Sequence, residues 1–314
     1  MKPLKIIFVG TPEFAVPYLR GLLADADFEV IGVITQPDRP SGRKQEFTSP
    51  PVKFLAVEKK LNIWQPERLR GNQELLEEIK KIDFDYLVVT AYGLIIPAEF
   101  LALAKSGNIN VHPSLLPKYR GASPIQSAIL NGETETGVTI MLMDEKMDHG
   151  AILTQKSIIL TGEETNESLH FQLAELGVPL LVETIKDFTA GKIKPQKQDH
   201  EMATFCTTID KEQAQIDWNK TAEEIKRKIY AFYPWPVAWT TLGGLRLKIF
   251  PPVAIIANVM GSSEPGQIKV DGGLAVCCGE RWLELKQLQL AGKKAMSASD
   301  FVRGYAGLAG QVLK

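Results

Sequence analysis

The chain is poor in the residues that mark several large functional classes. Its 314 residues include 3 Cys and 4 His. Two of the cysteines, Cys277 and Cys278, are adjacent, which a disulfide framework cannot use, so a reducing, cytoplasmic setting is expected. His112 and His149 lack a second His or Cys at ligand spacing, and no metal site is expected. No apolar run approaches the roughly 20 residues needed to span a bilayer. Met1-Lys2-Pro3 leads straight into the apolar run Lys5–Val9, which leaves no room for a targeting segment; a membrane is not expected among the partners. The turn after that run reads Gly10-Thr11-Pro12-Glu13-Phe14-Ala15, without the second and third glycines of a dinucleotide fingerprint. G-x-x-x-x-G-K-[ST] is also absent. A nicotinamide dehydrogenase is thereby disfavoured and a P-loop kinase excluded.

What is present is an ordinary globular composition, 45% hydrophobic and 23% charged, in a chain long enough for two domains. The first half alternates strand-like and helical segments. Lys5–Val9, Glu29–Thr35, Asn62–Trp64, Tyr86–Thr90, Gly107–His112, Thr136–Met143 and Ala151–Ile159 read as strands, with helices between most of them and a long helical region over Asn166–Ala190. A helix is expected from Thr11-Pro12-Glu13 to about Leu23. The fold class is therefore α/β, a Rossmann-like and mostly parallel sheet with helices on both faces, over residues 1–190. Residues 191–206, rich in Lys and Gln with little periodicity, read as a linker. Residues 207–314 begin with helices around Lys211–Asp217 and Thr221–Ala231. Five short strand-like runs follow, with hairpin turns at Gly243-Gly244 and Asp271-Gly272-Gly273, which suits a small OB-like β-barrel.

The formal net charge of -1 predicts no global attraction to nucleic acid, but the charge is uneven. Residues 1–190 carry 19 Lys+Arg against 25 Asp+Glu, and residues 207–314 carry 14 against 10. A basic second part hints at a polyanionic partner, with ordinary surface scatter as the alternative.

The richest stretch runs from Asn110 to Gly150, opening N-V-H-P-S-L-L-P-K-Y-R-G-A-S-P and closing M-D-H-G. Asn110 and His112 alternate along a strand and so share a face, roughly 6–7 Å apart. An amide and an imidazole on one face at a strand end suit a polarised carbonyl oxygen. Asp148 can orient the imidazole and keep a proton available to it. Read singly, the alternative for His112 is a core histidine satisfied by backbone, and for Asp148 a turn residue ahead of Gly150. No Ser or Cys stands in a nucleophile-elbow context, so the trio suits direct attack of an amine on a bound acyl donor.

N-V-H-P-S-L-L-P-K-Y-R-G-A-S-P-I-Q, followed by E-T-G-V-T-I-M-x-M-D-x-x-M-D-H-G, resembles the signature of formyltransferases that use 10-formyltetrahydrofolate. F-V-G-T-P-E-F-A (8–15), V-I-T-Q-P-D-R-P-S-G-R (33–43), A-Y-G-L-I-I-P (91–97), F-Y-P-W-P (232–236) and A-G-K-K-A-M (291–296) resemble the branch of that family acting on methionyl initiator tRNA. The likeness runs over essentially the whole chain and implies Asn110, His112 and Asp148 as the catalytic trio. It implies Ser114, Leu115, Leu116 and Pro117 as a folate-contacting turn. Ala91, Tyr92, Gly93 and Leu94, with the Met143–Asp148 loop, would be walls of the pterin pocket. The cofactor implied is 10-formyltetrahydrofolate as co-substrate, without a metal.

The long polar segment 36–52 carries Arg39, Arg43 and Lys44, which can reach phosphates. By the resemblance it enters the acceptor end of the tRNA, although Gln45 and Glu46 make it less basic than other versions. Lys248, Lys269, Lys293 and Lys294 are candidates for tRNA backbone contacts. Phe232, Tyr233, Trp235 and Trp239 read as a packed corner stiffened by Pro234 and Pro236. A monomer is expected. Two rivals stand beside this reading: a folate enzyme acting on a small amine or on water, and an RNA-binding protein with a decayed catalytic domain.

Overall fold

The computed structural model describes residues 2–41, 46–256 and 263–314. Arg43 and Lys44, two of the expected phosphate readers, lie outside the described residues. Contact clustering divides the chain into two compact units. The first gathers 1–124, 136–158 and 170–206; the second gathers 125–135, 159–169 and 207–314.

The first unit is built on seven strands: β1 (Leu4–Gly10), β2 (Phe28–Ile34), β3 (Asn62–Trp64), β4 (Tyr86–Thr90), β5 (Gly107–His112), β6 (Glu135–Leu142) and β7 (Ile152–Ile159), in the order β7-β6-β5-β4-β1-β2-β3. The five strands from β3 to β5 are parallel, and β6 runs antiparallel to β5. Ile6 to Val9 of β1 and Tyr86 to Val89 of β4 are buried, as expected where apolar strands have no solvent face. Helices α1 (Val16–Ala24), α2 (Pro51–Glu58) and α3 (Gln73–Lys80) fall between strands. Asn72 caps α3, its side chain accepting from Leu75 N at 3.1 Å, which satisfies one otherwise orphaned amide.

The helix expected from Thr11 starts later. A 3-10 turn covers Glu13–Ala15, and α1 begins at Val16 with Pro17 in its first turn, where a missing N–H costs nothing. Thr11 serves the loops instead: its hydroxyl donates to Tyr92 O at 3.2 Å and accepts from Gln36 N at 3.4 Å. It thereby ties together the segments that leave the carboxyl ends of β1, β2 and β4, the edge where such sheets bind ligands.

In the second unit the sheet is antiparallel, from β8 (Trp239–Leu242), β9 (Leu245–Ile256), β10 (Ile268–Val270), β11 (Leu274–Cys277) and β12 (Trp282–Leu290), in the order β8-β9-β12-β11-β10; β13 (Met296–Ser297) pairs with β12. The β9–β12 register shifts between Phe250 and Val253. The intervening Pro251 and Pro252 cannot donate to a ladder, so the strand bends there and the sheet curls into an OB-like half-barrel. Gly243 and Gly244, at φ 56 and 81, supply the two left-handed residues a tight hairpin needs. The inner face holds Leu247, Ile249, Val253, Val276, Leu283, Leu285 and Leu288, closed by Phe301. The helix expected over Lys211–Asp217 is only a 3-10 turn, Glu212–Ala214. Thr221 caps the helix Ala222–Ala231 in a reciprocal capping box with Glu224. Phe232 and Trp239 are buried while Trp235 is exposed. Segments 125–135 and 159–169 join this unit through Leu160 N donating to Thr134 O at 2.9 Å and Tyr230 Oη donating to Glu163 at 3.2 Å. Among the described residues no helix is long and apolar enough to cross a membrane.

Residues 191–206 do not behave as a linker. They pack in the first unit, where Ile152 and Gln196 exchange backbone hydrogen bonds and Phe205–Cys206 pairs in parallel with Arg120–Gly121. Their order comes from backbone and side-chain polar bonds rather than from an apolar face, so no periodicity announces it.

Candidate active site

β5 ends at His112 because Pro113 cannot continue the ladder. Asn110 and His112 leave the strand on one face, opposite Met141 and Thr139 of β6. Asp148 lies 38 residues beyond Asn110, yet its Oδ1 sits 3.5 Å from both Asn110 Nδ2 and His112 Nδ1. The other oxygen, Oδ2, accepts from Gly121 N at 2.8 Å. The trio expected from sequence is thus brought together, with His112 and Asp148 side chains only 5% and 13% exposed.

The imidazole is held from both sides. His112 Nε2 lies 2.9 Å from Tyr119 O; a carbonyl only accepts, so Nε2 carries a proton. Nδ1 then faces the carboxylate of Asp148. Both ring nitrogens thus look at hydrogen-bond acceptors, Tyr119 O on one side and the Asp148 carboxylate on the other. Tyr119 and Asp148 both have left-handed backbones, at φ 59 and 50. Tyr119 is kept there by its N–H donating to Thr204 Oγ1 at 2.8 Å, next to Arg120 N donating to Thr204 O at 2.9 Å. Glycine is required beside these residues: a Cβ on Gly121, at φ 122, would lie 2.0 Å from Cys206 O, and one on Gly150 would lie 1.9 Å from Leu142 O.

The turn Ser114–Pro117 is mostly turned inward. Ser114 is fully buried and its hydroxyl donates to Lys118 O at 2.6 Å. Thr139 Oγ1 donates to Ser114 O and accepts from Leu116 N and Gln155 Nε2, while Gln155 also donates to Leu116 O. Ser114 and Leu116 therefore hold the turn, and the half-buried Leu115 and Pro117 are the members with surface to offer. Across the sheet edge, Ala91 and Gly93 are exposed at φ 47 and 79. The carbonyl between them, on Tyr92, is fixed by Gln36 Nε2 at 2.8 Å and by Thr11. Leu94 and Met143 lie partly buried against the core cluster that contains Tyr92. A pinned turn beside apolar side chains fits a flat heterocycle with polar edges.

Sequence reasoning passed over several residues of this site. Arg120 and Gln198 are both buried, and Arg120 Nε and Nη2 donate to Gln198 Oε1 at 3.1 and 2.6 Å. His149 and His200 stack at 4.1 Å between ring centroids. His149 Nδ1 meets Asp144 Oδ2 at 2.6 Å. Burial works against ionisation of Asp144, but bonds from His149 and from Lys146 N outweigh it and hold the carboxyl below its usual range. Burial, then the neighbouring His149 and Arg120, hold His200 below its ordinary value. Arg120 lay in plain view within K-Y-R-G; a buried cation needs a partner, and the Q-D-H run 198–200 held it.

The described phosphate-reader candidates lie on separate elements. Arg39 belongs to a short two-stranded pair, Arg39–Ser41 with Glu46–Thr48. It lies 3.6 Å from Glu67 with both side chains well exposed, a pair worth at most about 1 kcal/mol. Lys248 is half-buried in β9, Lys293 and Lys294 are exposed after β12, and Lys269 pairs with Asp271 at 3.4 Å.

A mostly parallel sheet followed in the chain by an OB-like unit has clear counterparts. The formyl transferase family profile matches residues 4–185, and that of the formyl transferase C-terminal domain matches residues 208–306. The chain belongs to this family and is a formyl-transferring enzyme. Methionyl-tRNA formyltransferase of Bacillus subtilis is 44% identical over 98% of this chain and 97% of its own. That of Desulfotalea psychrophila is 46% identical over 100% and 96%, and that of Acidobacterium capsulatum 45% over 96% of each. Among solved structures, an N-formyltransferase from Helicobacter canadensis in complex with folinic acid and dTDP-3-aminofucose superposes with TM-score 0.68 at 19% identity, covering 91% of this chain and 100% of that one. A sugar 3N-formyl transferase crystallised with dTDP and 5-N-formyl-THF gives 0.67 at 23%, covering 93% and 99%. At such identities the structures speak for the fold.

Proposed function

We propose that this enzyme transfers the formyl group of 10-formyltetrahydrofolate to the α-amino group of methionyl initiator tRNA. The observation that carries the chemistry is the convergence of Asn110, His112 and Asp148 within 3.5 Å contacts. The full-length likeness to methionyl-tRNA formyltransferases supports the choice of acceptor.

The methionyl amine attacks the formyl carbon, and the negative charge that develops on the formyl oxygen is met by the Asn110 amide and the His112 ring. His112 carries a proton on Nε2 for Tyr119 O and can hold another on Nδ1, where Asp148 stabilises the charged ring. As the carbon–N10 bond breaks, the amine loses a proton and the departing nitrogen gains one; His112 with Asp148 handles this exchange. No covalent enzyme intermediate is needed. Pro117, Leu115 and the Ala91–Leu94 turn would hold the pterin end. Arg39, Arg43, Lys44, Lys248, Lys293 and Lys294 would meet tRNA phosphates.

The decisive experiment incubates the enzyme and 10-formyltetrahydrofolate with charged initiator or elongator methionyl-tRNA. Formylmethionine should form on initiator tRNA and far more slowly on elongator tRNA. Formyl transfer to a free amine or to water at the same rate without tRNA would overturn the acceptor while leaving the trio intact.

A further inference from the structure

Asp148 does not hold its own conformation. Its left-handed backbone, φ 50, is uncommon for a residue with a side chain, although Asp enters that region more readily than most, and here the neighbours hold it there. The carboxylate is fixed at one end by Gly121 N. The backbone is fixed at the other by Gln198, whose Nε2 donates to Asp148 O at 2.9 Å and to Gly150 O at 2.8 Å. Those two carbonyls flank His149 and set the direction in which Asp148 leaves the chain.

The orientation of the Gln198 amide is decided by chemistry. A guanidinium only donates. Arg120 presents two N–H groups to one face of Gln198, so the amide oxygen must lie there and the NH2 must face the two carbonyls. Arg120 is in turn fixed: Nη2 meets His200 Nδ1 at 2.8 Å, which makes that nitrogen an acceptor, and its backbone pairs with Phe205. Each hydrogen bond along the run His200–Arg120–Gln198–Asp148 thus has one possible direction.

We propose that Gln198 is a positioning residue for formyl transfer, with Arg120 setting the direction of its amide so that Asp148 is held facing His112 and Asn110. This rests on the reading of Asp148 as the partner of His112. Gln198 touches neither the trio's side chains nor any reacting atom; its action is geometric, and a displacement of about 1 Å at a reacting group can cost about 10²-fold in rate.

The test uses the full-length enzyme with 10-formyltetrahydrofolate and methionyl initiator tRNA. Gln198→Leu removes both donors, and Gln198→Glu keeps shape and the Arg120 contact while presenting an oxygen to the two carbonyls. Both should lower kcat by about 10- to 100-fold with KM for either substrate changed by less than about threefold. In an Asp148→Asn background the same substitutions should cost less than about threefold further, because a residue that acts through Asp148 has nothing left to position. If Gln198→Glu turns over at the wild-type rate, or if its loss multiplies undiminished with that of Asp148→Asn, the inference is overturned. A wild-type rate for Asp148→Asn alone would show instead that the reading of the trio is at fault.

Discussion

Asp148→Asn is the substitution with the most determinate consequence. Gly121 N needs an acceptor where Oδ2 now sits, so the new amide oxygen takes that place and the NH2 takes the place of Oδ1. That NH2 then lies 3.5 Å from His112 Nδ1 and Asn110 Nδ2. Because Tyr119 O keeps the proton on Nε2, Nδ1 can only accept, and the ring is locked neutral. One exchange of atoms thus removes both the charge partner and the second proton. At 3.5 Å, with an effective dielectric constant near 20, a carboxylate and an imidazolium attract by about 5 kcal/mol. Allowing up to half of that for the retained amide dipole and for solvent at the rim leaves a loss of about 2.5–5 kcal/mol, or roughly 10²- to 5 × 10³-fold. This falls inside the range expected of a positioned acid–base group, about 10²–10⁴-fold. Single-turnover formylation at saturating folate and tRNA measures the step directly. The loss should lie in the rate constant, with little change in the concentration of tRNA needed for half-saturation. A loss below about fivefold, or one confined to KM, would refute the assignment of proton handling to His112 and Asp148.

Other perturbations probe the surrounding structure. Gly121→Ala would drive a Cβ to 2.0 Å from Cys206 O on a left-handed backbone, so it should part the 120–121 and 205–206 strands, lower the melting temperature and abolish turnover; a wild-type melting curve would contradict this. Thr221→Ala removes the hydroxyl that accepts from Glu224 N at 3.2 Å and should cost about 1 kcal/mol of stability, read as a shift of a few degrees in melting temperature, with formylation unchanged. Arg43→Ala should weaken use of charged tRNA and flatten the salt dependence of KM; an unchanged slope would mean the 36–52 segment is not a phosphate reader. His200 has an ordinary value of 6.5 and is held below it in the fold. The unfolded chain therefore takes up the proton first, and the contribution of His200 to stability, complete above pH 6.5, is lost as pH falls toward the folded-state value. His200→Gln should flatten that part of the stability–pH curve, and an identical curve for the variant would rule out His200 as its source.

Why some of this could be read from the chain and some not follows from how each feature is encoded. The strands of the first unit are continuous apolar runs, and the shared face of Asn110 and His112 is simple alternation, so both are local and legible. Asp148 was less legible: it could be paired with the imidazole on chemical grounds, but a lone Asp ahead of a Gly is equally a turn, and the contact that joins it to Asn110 spans 38 residues. Gln198 lies 78 residues from Arg120 in a stretch with no hydrophobic period, and nothing local distinguishes a polar segment that wraps a buried arginine from one that is solvated. Arg120 is the residue that points to it. Arg120 sits one residue before a glycine that must pack closely and immediately after a tyrosine whose carbonyl holds the His112 ring, and it is itself buried. A cation confined in that manner requires acceptors from elsewhere in the chain, and the run Gln198-Asp199-His200 supplies them with an amide oxygen and a neutral imidazole rather than a carboxylate. That choice is consistent with the site's needs. The neutral amide of Gln198 holds the Asp148 and Gly150 backbone carbonyls without adding a second charge beside the Asp148 carboxylate.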